Sequence, residues 1–172
     1  MNKGIEFKNG LKPAIPIGLG YVPIAIAFGI LSKASDIPDD ISMMLSMIVY
    51  AGASQFVGVN MIAMGATAME IVMTTFILNF RHFLMSASLS QRVDERTSKR
   101  FLSLLAYGIT DETFSLASMM EEEKLSPYFL LGINTMAFFS WNAGTCLGLL
   151  LGTALPDTLQ SIMGIAIYCM FI

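Results

Sequence analysis

Charge is scarce in this sequence. Of its 172 residues only 13% are Asp, Glu, Lys or Arg and 55% are hydrophobic, where an ordinary soluble domain carries about 25% charged residues. A water-soluble globule is therefore disfavoured. Basic residues are few as well: ten Lys and Arg against thirteen Asp and Glu leave a net charge of −3. With no basic surplus, the chain lacks the electrostatic footprint of a nucleic-acid binder. Cysteine is limited to Cys146 and Cys169, both inside apolar stretches, which leaves no disulfide framework. There is one histidine, His82. The fourteen methionines, in runs such as ISMMLSM and MIAMGATAM, read as adaptable apolar filler, and no metal or other cofactor is expected.

What is abundant is uninterrupted apolar sequence. Residues 13–31 are nineteen without a charge, about 29 Å of helix, which matches the bilayer core. A signal peptide has a shorter apolar region and is not followed by more of the same. Residues 41–80 are a run of forty whose single charge is Glu70. Residues 41–90 allow two crossings with a hairpin near Gly65. Then follow a charged loop, QRVDERTSKR (91–100), an apolar stretch (101–120), a short loop, EEEKLSP, and a long apolar stretch (128–155). After Pro156 and Asp157 the last fifteen residues, 158–172, are apolar again, but reach only about 22 Å as helix. The expectation is an all-α, polytopic integral membrane helix bundle with interrupted helices and about six apolar segments, the last one truncated. Residues 1–172 then read as a single transmembrane domain, C-terminally incomplete.

Pro13, Pro16 and Pro23 with Gly18, Gly20 and Gly29 make the first segment a poor helix, and GLGYVP predicts an interruption there. In lipid such breaks are tolerated where neighbouring helices or a cavity satisfy the backbone. Gly144, Gly148 and Gly152, at four-residue spacing, predict close helix packing in the fifth segment. Orientation follows Lys and Arg in short loops, which assigns residues 91–100 to the cytoplasm. Six simple crossings would put the basic N-terminal tail on the opposite side, so one stretch before Gln91 is re-entrant or the N-terminus is external.

Glu70, Arg81, His82, Asp111 and Glu112 lie within apolar segments. A charge at mid-helix costs roughly 2.5 to 3.5 kcal/mol on the insertion scale, so these residues require compensation. Glu70 is expected at the start of its segment, in reach of the interface. Arg81 lies about 16 Å further along the same helix and must find its partner elsewhere; Asp111 or Glu112 is the obvious one. Such a pair is either a fixed lock between helices or part of a transport pathway. Asp111, midway along residues 101–120, would share one helix face with Tyr107 and Ser115. In YAGASQF (50–56) Gln55 has two donors and an acceptor to satisfy, either between helices or at a cavity wall. Ser54 with His82 also allows a weak reading as an intramembrane serine protease.

Five blocks in order, GYVPIAIAFG (20–29), YAGASQF (50–56), NFRHFL (79–84), ITDETF (109–114) and SWNAGTCLG (140–148), resemble the AzlC-type branched-chain amino acid permeases. The resemblance runs over about residues 11–156, and AG-x-SQF, N-x-RH and TDE-x-F are its specific parts. It implies a multi-pass permease of the bacterial inner membrane, not an enzyme, that exports leucine, isoleucine, valine and related apolar amino acids. It also implies a small AzlD-type membrane subunit as partner, and chains that continue for several dozen residues beyond this one. A zwitterionic substrate needs groups for its carboxylate, its ammonium and its apolar side chain, and interrupted helices supply backbone ends for the first two. Ser54, Gln55, Phe56, Asn79, Arg81 and Trp141 are the expected substrate-binding residues, with Phe83 and Phe114 lining the apolar part. Asp111, Glu112 and His82 are expected to couple transport to an ion. A non-transporting scaffold or channel subunit is the competing class, though a scaffold has no need of charges at mid-span.

Overall fold

A computed structural model describes residues 2–94 and 96–153; the short last segment expected at 158–172 lies outside them. Among the described residues the chain forms eight α-helices: α1 (Lys3–Leu11), α2 (Ile15–Ala34), α3 (Asp39–Met44), α4 (Gly52–Ala63), α5 (Ala68–Ser90), α6 (Lys99–Tyr107), α7 (Asp111–Ser118) and α8 (Pro127–Gly152). A π turn, Leu45–Val49, continues α3. The expected hairpin near Gly65 is present: Gly65 takes φ +73° between α4 and α5, a conformation open to a residue without Cβ. Glu70 sits in the first turn of α5. Its carboxylate accepts from the Thr67 amide at 2.7 Å and hydroxyl at 2.8 Å, while its own amide donates back to the Thr67 hydroxyl, so it caps a helix as its position at the segment start requires.

Two expectations are corrected. GLGYVP does not interrupt the first segment, because α2 runs through Gly18, Gly20 and Pro23. The chain breaks instead at residues 12–14, where Pro13 precedes α2 and Pro16 occupies its second position; an amide missing there has no intrahelical acceptor to lose. Residues 101–120 are not one helix but two, α6 and α7. Gly108 ends the first, and Thr110 caps the second with Asp111 and Glu112 in its first turn. Tyr107 therefore belongs to a different helix from Asp111, and of the expected shared face only Ser115, one turn further along α7, remains.

The chain divides into two compact units, the first built from residues up to Leu19 with Phe80–Phe139, the second from Gly20–Asn79 with the chain from Ser140 on. In the first unit α1 crosses α8 backbone to backbone: a Cβ on Gly10 would run into Phe129 and Gly132, and one on Gly132 into Phe7 and Leu11. Its apolar core gathers Leu89, Val93, Leu105, Ile109, Ala117, Leu125 and Leu130. Arg92, just past α5, ties down the end of α7. Its Nη1 donates to the carbonyls of Ala117 and Ser118 at 3.0 and 3.2 Å, and its Nη2 to those of Met120 and Glu122 at 2.7 and 2.6 Å. One guanidinium thereby meets four carbonyls at and just beyond the end of α7.

In the second unit α2 packs on α8 through the expected small-residue stripe. A Cβ on Gly144 would meet Val22 and Ala25, one on Gly148 the backbone of Ile26, and one on Gly152 the Lys33 side chain. Gly29 closes the same contact from the α2 side against Thr145, Gly148 and Leu149. Edge-to-face pairs, Tyr21 with Trp141 at 5.3 Å and Phe28 with Phe56 at 5.6 Å, fill the space around it.

Beside the apolar cores, nine polar side chains among the described residues are buried and many large apolar ones lie on the surface. Ser32, Ser42, Ser46, Ser54, Gln55, Thr110, Thr113, Asn134 and Thr145 are buried, while Val72, Phe76, Ile77, Phe83 and Leu150 are exposed. Water would penalise such a surface and lipid would not. By length and composition α2 alone among the described residues passes as a membrane crossing, with mean hydropathy 1.9 over its best window. The longer α5 and α8 carry the polar residues of the candidate site, Asn79, Arg81 and His82 on one and Asn134 and Asn142 on the other.

Candidate functional site

Each unit contains one interrupted helix, and the polar residues gather at the interruptions. In the first unit the break is Gly108–Ile109–Thr110, between α6 and α7. Thr110 and Thr113 satisfy the new helix start reciprocally: the Thr110 amide donates to the Thr113 hydroxyl at 2.8 Å, and the Thr113 amide to the Thr110 hydroxyl at 3.4 Å. On the other side, Asn134 of α8 donates its amide to the Leu105 carbonyl at 2.9 Å. It can lie there because Gly108 has no Cβ, which would fall 2.5 Å from the Asn134 amide nitrogen. Asp111 is the first residue of α7, where the helix dipole favours a negative charge. Its Oδ2 sits 3.0 Å from Nη2 of Arg81 on α5. The expected Arg–carboxylate pair is thus present and the carboxylate is Asp111. With side chains 34% and 41% exposed, the pair is partly open rather than sealed in the core.

In the second unit the interruption is at Tyr50 and Ala51, between the π turn and α4. Tyr50 takes φ +43°, a left-handed conformation that a bulky residue adopts only where surrounding packing imposes it. Ala51 precedes α4 and supplies no side-chain cap. A buried chain of hydrogen bonds spans the break: Gln55 Nε2 lies 2.9 Å from Ser46 Oγ, Ser46 Oγ 2.8 Å from Thr145 Oγ1, and Thr145 Oγ1 donates to the Trp141 carbonyl at 3.1 Å. Beside it, Ser54 Oγ donates to Asn79 Oδ1 at 2.7 Å. Oε1 of Gln55 and Nε1 of Trp141 are among the buried atoms that find no partner among the described residues. Leaving a buried polar group unmet costs about 1–3 kcal/mol, so native structures rarely keep one without a use.

Residues 16–155 match the AzlC protein family. The chain belongs to the AzlC family. Its relatives include membrane proteins of bacteria and an archaeon. They include inner membrane protein YgaZ of Escherichia coli, 34% identical over 152 residues covering 87% of this chain and 62% of that one. An uncharacterized membrane protein of Archaeoglobus fulgidus is 30% identical over 155 residues, 90% of this chain and 67% of that one. The branched-chain amino acid transport protein AzlC of Bacillus subtilis is 24% identical over 149 residues, 86% and 58%. The chain spans about three-fifths of the length of the Escherichia coli and Bacillus subtilis proteins. No solved structure matches it.

In this AzlC-family membrane protein the specific sequence blocks map onto the interruptions. AGASQF opens α4, TDETF opens α7, and NFRH lies along α5 carrying the partners of both, Asn79 for Ser54 and Arg81 for Asp111. Among the other expected site residues, Phe56 is fully buried against Phe28, Trp141 is buried against Tyr21, and Phe83 is exposed. Glu112 follows Asp111 in the first turn of α7, and His82 follows Arg81 on α5; both are half-buried. The Ser54 hydroxyl donates to an amide oxygen, which is not a base and does not activate a nucleophile. Sequence reasoning missed Ser46, Thr145, Asn134 and Arg92. The first three are polar residues within apolar helices, a detectable signal; Arg92 reads in the sequence only as one charge of the loop QRVDERTSKR.

Proposed function

We propose that this chain forms the permease domain of an exporter for leucine, isoleucine, valine and related apolar amino acids in the bacterial inner membrane. It acts with a small AzlD-type subunit, has residues 91–100 on the cytoplasmic side, and couples export to an ion. Membership of the AzlC family and the branched-chain amino acid transport for which the Bacillus subtilis relative is named support the substrate class. The single observation that carries the mechanism is the Arg81–Asp111 pair at 3.0 Å on the first residue of α7. A charge pair in an apolar bundle is stable while both partners are ionised and loses its attraction when the acid takes up a proton. Protonation of Asp111 would release the start of α7 from α5, with the backbone between α6 and α7 as the point of flexure and Arg92 holding the far end. Each export cycle would then move one proton on and off Asp111.

The test compares net leucine efflux with leucine–leucine exchange across pH in cells producing the full-length protein with its partner. Asp111→Asn should abolish pH-dependent net efflux while leaving exchange and membrane insertion largely intact, and Glu112→Gln should retain both. If Asp111→Asn keeps pH-dependent net efflux and Glu112→Gln loses it, the two roles are reversed; if both keep it, carboxylate coupling is wrong.

A further inference from the structure

The hydrogen-bond chain at the α4 break leaves one assignment of its protons. Three contacts link Gln55, Ser46, Thr145 and the Trp141 carbonyl, and each needs a proton. The Trp141 carbonyl can only accept, so Thr145 gives it the hydroxyl proton. Ser46 must then donate to Thr145, and the Gln55 amide must donate to Ser46. Turning the Gln55 amide over would leave two protons for three contacts. The orientation follows from the network itself, as an amide assignment must.

Oε1 of Gln55 consequently points away from the chain as a pure acceptor, on a side chain 1% exposed and with no donor among the described residues. Trp141, one helical turn before Thr145 on α8, presents an indole N–H that is 2% exposed and has no acceptor among the described residues. Gln55 itself stands three residues into α4, which begins at Gly52 without a side-chain cap, in contrast to α7, so the first-turn amides are available to an anion. One buried acceptor, one buried donor and an uncapped helix start are the complement of a molecule that carries a donor cation and an acceptor anion on one carbon.

We propose that the first turn of α4 binds the backbone of the transported amino acid, with Gln55 Oε1 accepting from its ammonium and Trp141 Nε1 with the α4 amides donating to its carboxylate. The inference rests on the amino-acid reading above and adds which group recognises which end. Ser46 and Thr145 touch no substrate here. They are positioning residues that hold the Gln55 amide in the orientation that turns its oxygen to the ligand.

Binding to the purified full-length protein tests it with three probes of one carbon skeleton: leucine, 4-methylpentanoate, which lacks the ammonium, and 3-methylbutylamine, which lacks the carboxylate. Wild type should prefer leucine to 4-methylpentanoate. Gln55→Leu should cut that preference at least tenfold and weaken 3-methylbutylamine, with 4-methylpentanoate little changed. Gln55→Glu keeps an acceptor oxygen and should hold the preference or raise it. Trp141→Phe should weaken leucine and 4-methylpentanoate together and spare 3-methylbutylamine. An unchanged preference in Gln55→Leu, with leucine still bound, overturns the inference and leaves the transport reading standing. Should Gln55→Leu fail to fold, loss of the preference in a folded Gln55→Glu overturns it equally. A folded wild type that binds no leucine removes both.

Discussion

Breaking the Arg81–Asp111 pair should destabilise the protein in a way that depends on both partners. An exposed ion pair contributes about 0.2–1 kcal/mol, and removing one partner of a fully buried pair costs about 3–5 kcal/mol. At 3.0 Å, with side chains 34% and 41% exposed, this pair lies between those limits, and a coupling of about 1–3 kcal/mol follows. Asp111 also gains from the α7 dipole by about 0.3–1 kcal/mol, which Asp111→Asn forfeits whether or not Arg81 is present. Asp111→Asn should therefore cost about 2 kcal/mol, or a fall of about 4–8 °C in melting temperature for a chain of this size. Arg81→Gln should cost a similar amount and the double variant clearly less than the sum. The assay is a thermal double-mutant cycle in one detergent, with Glu112→Gln as the control. Additivity of the two substitutions within about 0.5 kcal/mol would refute the energetic role assigned to the contact.

Other consequences are open to direct measurement. Gly148→Ala forces a methyl into the Ile26 backbone and should cost about 1–3 kcal/mol by overpacking. Gly20→Ala, which has no atom within 4 Å of the added Cβ, should leave the melting temperature unchanged or slightly raised. Arg92→Lys keeps the charge but cannot reach four carbonyls with a planar fork, so hydrogen exchange in residues 117–125 should speed up at least tenfold while that of α2 does not. A cysteine at Thr97 should resist a membrane-impermeant thiol reagent in intact cells and react after permeabilisation; reaction in intact cells would place residues 91–100 outside.

Most of the architecture was written in local patterns. The apolar runs marked the membrane class, Gly65 marked the hairpin, and Gly144, Gly148 and Gly152 marked a close-packing face, which the fold sets against α2. The cost of a lone arginine in lipid was enough to predict its carboxylate partner. The break before α7 was present as a Gly–x–Thr–Asp–Glu signal, a helix-ending glycine, a capping threonine and an acidic first turn. It was hidden by the apolar sequence running on either side. GLGYVP misled in the opposite direction, since close packing of α2 on α8 outweighs the single backbone bond that Pro23 removes. The break at Tyr50 has no local signature: a tyrosine at φ +43° is imposed by contacts such as Ser46 to Thr145, 99 residues away. Arg92 was equally illegible, because its acceptors lie 25 to 30 residues along the chain.

The central claim is that this AzlC-family protein moves branched-chain amino acids across a membrane through the polar groups at its two helix interruptions. It is tested most directly by radiolabelled leucine counterflow in proteoliposomes containing the full-length protein and its small partner. The account predicts saturable leucine entry into leucine-loaded vesicles, competed by isoleucine and valine but not by lysine or glutamate, and lost in Gln55→Leu. Leucine entry no faster than into protein-free vesicles, with the protein folded and inserted, would contradict it.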